Sequence, residues 1–348
     1  MKTIGFIDYY VSEWHANHYP EWIKEANETL GTDFVVKYAW AEKPVSPVDG
    51  KTTDEWCKEY GVERCATIEE LCEKSDYILV LAPSDPDTHL RYAEIALKYG
   101  KNTYIDKTFA PDYETALKIF EIGKKYGAKF FSTSALRYAS ELSEYAGECE
   151  TATVIGSGAS VSEYVIHQTE MLVKLMGVGA KRLTAFNDND QHVIRVEYAD
   201  GRKANMVFVS DYGTPTAFIP YKNGGKSKFI QITSEYFKSL MYVISNLPLS
   251  VNKWKVYAVN QMTDTNDDGA ITVADIDTTN KITYWPTPKD KSFTYSLYGY
   301  AIIELLKVVN LLPNSSFIFV CYKEIRTIHF YHAHYKKYRD LQSRPNKI

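Results

Sequence analysis

Short apolar runs alternate with amphipathic stretches over the first third of the chain. Residues 3–7, 34–40, 77–81, 102–105 and 129–133 have the length and β-branched or aromatic content of strands. Helical spacing fills the intervals. The clearest unit spans residues 76–110, where Asp85 is placed to cap a helix, Pro86 to open it and Gly100 to stop it. Within it Leu90, Ala93 and Leu97 recur at i, i+3 and i+7, a face that packs on a sheet. Ser12 is expected to cap a short helix through Trp14 and His15, and Pro20 to open a longer one bearing Ile23, Ala26 and Leu30. Further helices are expected at 54–60, 68–73 and 112–125, the last with Ala116, Ile119, Phe120 and Gly123 on one face. Strand and helix in alternation predict a parallel, doubly wound sheet.

The pattern changes near residue 152. Residues 156–158 read as a loop, and 163–176 as a helix stopped by Gly177. Its residues Glu163, His167, Glu170 and Lys174 share one polar face, at the spacing of a solvated stripe or of a crevice wall. Strands follow at 182–186, 192–198 and 204–210, with Asp200-Gly201 as a hairpin signal, and again at 217–221 and 229–233. Tyr236, Leu240, Val243 and Leu247 make a further amphipathic helix. The expected fold is α/β: a Rossmann-like doubly wound parallel sheet over residues 1–135, then an α+β domain with an open, mainly antiparallel sheet over 136–348. After about residue 250 the pattern is atypical, with a helix expected at 298–312.

Composition narrows the class. The 348 residues are 45% hydrophobic and 24% charged, as in a soluble two-domain protein. A net charge of −4 leaves no footprint for nucleic acid or an anionic membrane, although the C-terminal end carries Lys336, Lys337, Arg339, Arg344 and Lys347. Cys57, Cys65, Cys72, Cys149 and Cys321 form no CxxC pair, so reduced structural thiols are expected. Asp8 interrupts the first apolar run, and no stretch reaches the ~18 residues of a membrane span. The expected location is the cytoplasm.

In a doubly wound sheet, ligands sit outside the carboxyl ends of the strands. Those ends carry Ala82-Pro83-Ser84-Asp85 and Asp106-Lys107-Thr108, which makes Lys107 the first candidate for chemistry. The loop after the first strand departs from the dinucleotide pattern GxGxxG, because Asp8, Tyr10 and Glu13 hold the three glycine positions. Side chains there crowd a diphosphate, and two of them are anionic. Glu42 is the candidate for a ribose hydroxyl.

The strings IGFI, LAPSDPDTH, DKTFA, SALRY and EYVIH, in that order over roughly residues 1–245, resemble the Gfo/Idh/MocA oxidoreductases. That resemblance implies an NAD(P)-dependent enzyme acting on a small carbohydrate or polyol, and a homo-oligomer formed through the C-terminal sheet. It implies a substrate- and ribose-orienting role for Lys107, acid/base transfer by His167, and an orienting or pKa-raising role for Glu163. Asp8, Tyr10, Ser12, Trp14, His15, Ala82, Pro83, Ser84, His89, Asp106, Lys107 and Arg137 are then the candidate contacts to NAD or NADP. Arg137 reads equally as an ion-pair donor, and His89 as a core residue.

Two alternatives stay open. The missing glycines also suit a Rossmann-derived binding or regulatory protein that has lost its dinucleotide. Asp264, Asn266, Asp268, Ala270 and Asp275 match the spacing of a calcium loop, with Gly269 at its sixth position, and would make a calcium-dependent interaction module. His329, His332 and His334 do not share a helical face, and no metal site is expected from them.

Overall fold

A computed structural model describes residues 1–83, 85–177 and 179–245. The calcium-loop residues Asp264, Asn266, Asp268, Ala270 and Asp275, the helix expected at 298–312, the C-terminal histidines and Ser84 lie outside the described residues.

The first part of the chain runs β1 (Lys2–Asp8), α1 (Trp14–Leu30), β2 (Phe34–Ala41), α2 (Thr53–Tyr60), β3 (Glu63–Arg64), α3 (Ile68–Lys74), β4 (Tyr77–Val80), α4 (His89–Ala96), β5 (Asn102–Ile105), α5 (Tyr113–Tyr126) and β6 (Phe130–Phe131). Its strands pair in the order β3-β2-β1-β4-β5-β6, all parallel. This is the doubly wound Rossmann order, and it places a switch point between β1 and β4. The buried runs are apolar on both faces: Phe6, Ile7, Ile78, Leu79 and Val80 are inaccessible to solvent.

Local signals account for most helix ends. Thr52 and Glu55 form a reciprocal capping box on α2, and Asp112 accepts from the Thr115 amide to start α5. Gly31, Gly61 and Gly127 close α1, α2 and α5 with left-handed φ of 70°, 65° and 64°. Two expectations fail at helix starts. Asp85 makes no side-chain capping bond, and a 3-10 turn over Pro86–Thr88 leads into α4. Nor does Ser12 cap a helix, since its hydroxyl donates to Asp49; α1 starts once, at Trp14, beneath a Glu13 cap, with Pro20 inside it. Proline there withholds the N–H that the Ala16 carbonyl would receive, a cost the well-capped first turn and the buried face of α1 offset.

The second part runs β7 (Thr151–Ser157), α6 (Val161–Met176), β8 (Ala180–Asp188), β9 (Gln191–Tyr198), β10 (Lys203–Val209), β11 (Ala217–Tyr221), β12 (Ile230–Gln231) and α7 (Tyr236–Ser245). The sheet order is β12-β11-β7-β10-β9-β8, antiparallel except between β7 and β10. Residues expected as a loop, Gly156 and Ser157, instead end β7. Glycine is needed there for clearance, because a Cβ at residue 156 would lie 1.7 Å from Gln168 Nε2 on α6. The polar face of α6 is also not a solvated stripe: Glu170 is fully buried. Val154, Leu172, Met206 and Phe208 form a second core, distinct from that of the first sheet. The chain then returns, for Leu240, Met241 and Ile244 of α7 join the first core. Phe237 stacks on Trp22 of α1 with centroids 4.3 Å apart. Among the described residues no helix is long and apolar enough to cross a membrane.

The clearance at residue 156 gives a direct test. Gly156→Ala is expected to destabilise the protein by about 1–3 kcal/mol, the usual range for overpacking, read as a lowered urea midpoint. An unchanged midpoint would mean that β7 and α6 are not in this close contact.

Candidate active site

A crevice of about 650 Å³ opens at the carboxyl ends of β1, β4 and β5 and is walled on its far side by the start of α6. Its floor is the bend after β4. Ala82 there adopts a left-handed φ of 55°, unusual for a residue with a Cβ, and its N–H donates to Asp8 Oδ1 at 3.0 Å. Asp8, 1% exposed, also accepts from the Tyr9 amide at 2.7 Å. Burial, reinforced by the Glu13 charge, pushes the Asp8 carboxyl well above the usual carboxylate range.

The loop from Asp8 to Trp14 is built around Glu13. Its carboxylate folds back over the first turn of α1, with Oε1 accepting from the Ala16 amide and Oε2 accepting from the His15 amide at 2.8 Å. Glutamate is not among the favoured capping residues, yet here it satisfies two of the free amides of the turn. His15 bridges the loop to β5: Nδ1 lies 3.3 Å from Glu13 Oε2, and Nε2 lies 3.6 Å from Asp106 Oδ2. Asp106 is held from its other oxygen by the Tyr104 hydroxyl, which donates at 2.6 Å.

Lys107 follows directly and is 8% exposed, with Nζ 3.5 Å from the Pro83 carbonyl. Across the crevice stands His167 on α6. Its Nδ1 is 2.7 Å from Ser134 Oγ, a residue of the connection after β6. A hydroxyl donates and accepts, so Ser134 serves either tautomer of the ring. The resemblance implied that Glu163 raises the pKa of this histidine; the shift runs the other way. Burial first, and then the Lys107 ammonium and the nearby His15, push His167 down to about 3.

Of the candidate residues, Asp8, Tyr10, Trp14, His15, Ala82, Pro83, Asp106, Lys107, Glu163 and His167 line this one crevice. Ser12, His89 and Arg137 do not. Ser12 donates to Asp49 at 2.7 Å. His89 is fully buried between the carbonyls of Leu81 and Phe109, at 2.7 and 3.0 Å, as a core strut. Arg137 pairs with buried Glu170 at 3.2 Å, and burial still pushes that carboxyl up to about 7. Glu42, the ribose candidate, accepts from Arg91 and from the Tyr92 hydroxyl. Ser134, Tyr164 and the aromatic residues of α7 carried no spacing signal that marks them as crevice residues. Among the described residues no group of three His, Cys, Asp or Glu side chains can hold a metal ion.

The neutral, half-buried His167 makes stability depend on acid. In the unfolded chain the ring takes a proton below its ordinary 6.5, whereas in the folded chain it waits until about 3. Stability is therefore lost as pH falls through that window, by at most about 1.4 kcal/mol per pH unit for one proton. Replacing His167 by Gln is expected to flatten the fall in urea midpoint between pH 6 and pH 4. Equal slopes in the two proteins would show that the ring is not held neutral.

Residues 41–134 match the family model Gfo/Idh/MocA, described as an oxidoreductase family with an NAD-binding Rossmann fold. The phosphate-loop residues precede that match. No curated protein matches the sequence. Among solved structures, a probable dehydrogenase from Thermotoga maritima aligns over 74% of this chain and 90% of its own at 16% identity, with a TM-score of 0.57. A putative myo-inositol dehydrogenase from Sinorhizobium meliloti 1021 aligns over 74% and 91% at 15% identity and TM-score 0.55. A UDP-N-acetylglucosamine 3-dehydrogenase from Acidithiobacillus ferrooxidans aligns over 70% and 88% at 12% identity and TM-score 0.55. At these identities the structures share a fold with the chain. The sheet order and the matched residues agree: the first part of the chain has the Rossmann fold, and residues 41–134 are similar to the Gfo/Idh/MocA oxidoreductase family.

Proposed function

We propose that the chain is an NAD(P)-dependent oxidoreductase that interconverts a secondary alcohol and a ketone on a sugar, inositol or related polyol. The observation that carries this reading is the placement of Lys107 and His167 in one crevice at the carboxyl ends of parallel strands. Similar structures named for inositol and nucleotide-sugar dehydrogenases support the substrate class. Oxidising such an alcohol needs a base for the hydroxyl proton and a positive group beside the oxygen as charge develops. His167 stays neutral at physiological pH and is therefore in the proton-accepting form. Its Nδ1 faces Ser134 and leaves Nε2 for the substrate hydroxyl. The Lys107 ammonium stabilises the developing alkoxide, and Glu163, one turn from His167, lies on the same wall.

The family's dinucleotide fits this crevice at one end only. Lys107, Ala82 and Pro83 line the crevice, and the Lys107 ammonium is a donor from which a ribose hydroxyl can accept. At the start of α1 the amides of His15 and Ala16, which would meet a diphosphate, already bond to Glu13. That same observation favours a second reading, a Rossmann-derived binding or regulatory protein without dinucleotide.

Turnover decides between the two. In a screen of polyols and sugars with NAD and NADP, the wild-type chain is expected to reduce cofactor with at least one substrate. Lys107→Ala and His167→Ala are each expected to lower turnover by ~10²- to 10⁴-fold with melting temperatures close to wild type. Near-normal turnover in either variant removes that residue from the mechanism, and no turnover by the wild type supports the second reading.

A further inference from the structure

We propose that Glu13 is a built-in competitor for the diphosphate of a dinucleotide, occupying the anion position at the start of α1 so that the diphosphate reaches it only when the side chain leaves. The proposal rests on the oxidoreductase reading above and concerns how the same crevice admits its cofactor.

Helix N-termini bind anions because their first amides lack partners and the helix dipole points its positive end outward. In a doubly wound fold the first such helix receives the diphosphate. Here the anion on that helix belongs to the chain. Glu13 is 7% exposed and stands at the third glycine position of the loop. Its two oxygens take the amides of the second and third helical residues, His15 and Ala16, in a two-pronged cap. A shorter capping side chain such as serine reaches one amide from the same position, and glycine reaches none.

The surroundings point the same way. Asp8 and Asp106 border the same space, and each has one buried carboxylate oxygen without a hydrogen-bond partner among the described residues. Asp8 is 1% exposed, as is Asp106. A diphosphate arriving beside these groups adds negative charge where His15 already serves both Glu13 and Asp106. Replacing the Glu13 carboxylate by serine frees one of the two amides and takes away one of the repelling charges in a single change.

Glu13→Ser tests this, because serine keeps a capping hydroxyl and α1 retains its start. Glu13→Gln keeps the shape and removes the charge, and it carries the test if the serine variant does not fold. The probes are NADH and ADP-ribose, the latter bearing the diphosphate without the nicotinamide, titrated calorimetrically into the full chain. The expected result is at least a tenfold tighter affinity of Glu13→Ser than of wild type for both probes, with Glu13→Gln in between. Equal affinities in wild type and Glu13→Ser overturn the competition and leave the dinucleotide reading standing. No binding of either probe to any of the three proteins at millimolar concentration overturns both.

Discussion

The two hydrogen bonds from the first turn of α1 to the Glu13 carboxylate set the state of the crevice. They fix the loop after β1, orient the amide end of the helix and bring His15 to the point where it reaches Asp106. From Asp106 the arrangement passes to Tyr104 on β5 and, by chain connection, to Lys107. One side chain thus links the start of α1 to the end of β5. Low-dielectric surroundings make each such contact stronger and each missing partner more costly than it would be in water.

The same principle explains how the two histidines of the crevice differ. His15 has carboxylates within 3.3 and 3.6 Å of its ring nitrogens, whereas His167 faces a hydroxyl and feels the fields of Lys107 and His15. Burial acts on His167 without an opposing anion close enough to offset it, so the ring is neutral.

Much of the first sheet was legible because its signals are local. Left-handed glycines and apolar runs lie within a few positions of the elements they define, as at Gly100. That Lys107 and His167 line one crevice was legible through strand-end position and motif order. What failed depends on contacts between distant residues or on an unusual local choice. Gly156 is needed because of Gln168 on a different element, which a composition rule reads as a loop. The start of α1 was misplaced because glutamate is a rare cap and proline a frequent first residue. The face of α6 has a period that says only that it is polar, and it cannot say whether water or Arg137 meets Glu170. Ser134 is separated from His167 by 33 positions, and nothing in either segment announces the pairing.

The return of α7 onto α1 has a mechanical consequence. The polypeptide passes from the first sheet to the second after β6 and comes back through α7, so the two walls of the crevice are joined by two crossings. A single crossing permits a swing about one hinge, but two crossings make a strap. Phe237 and Trp22 hold that return in place, ring against ring at 13°. Whatever seats in the crevice therefore meets a lining drawn from far-apart stretches of the chain, Asp8 and His15 near its start and Phe237 and Leu240 on α7.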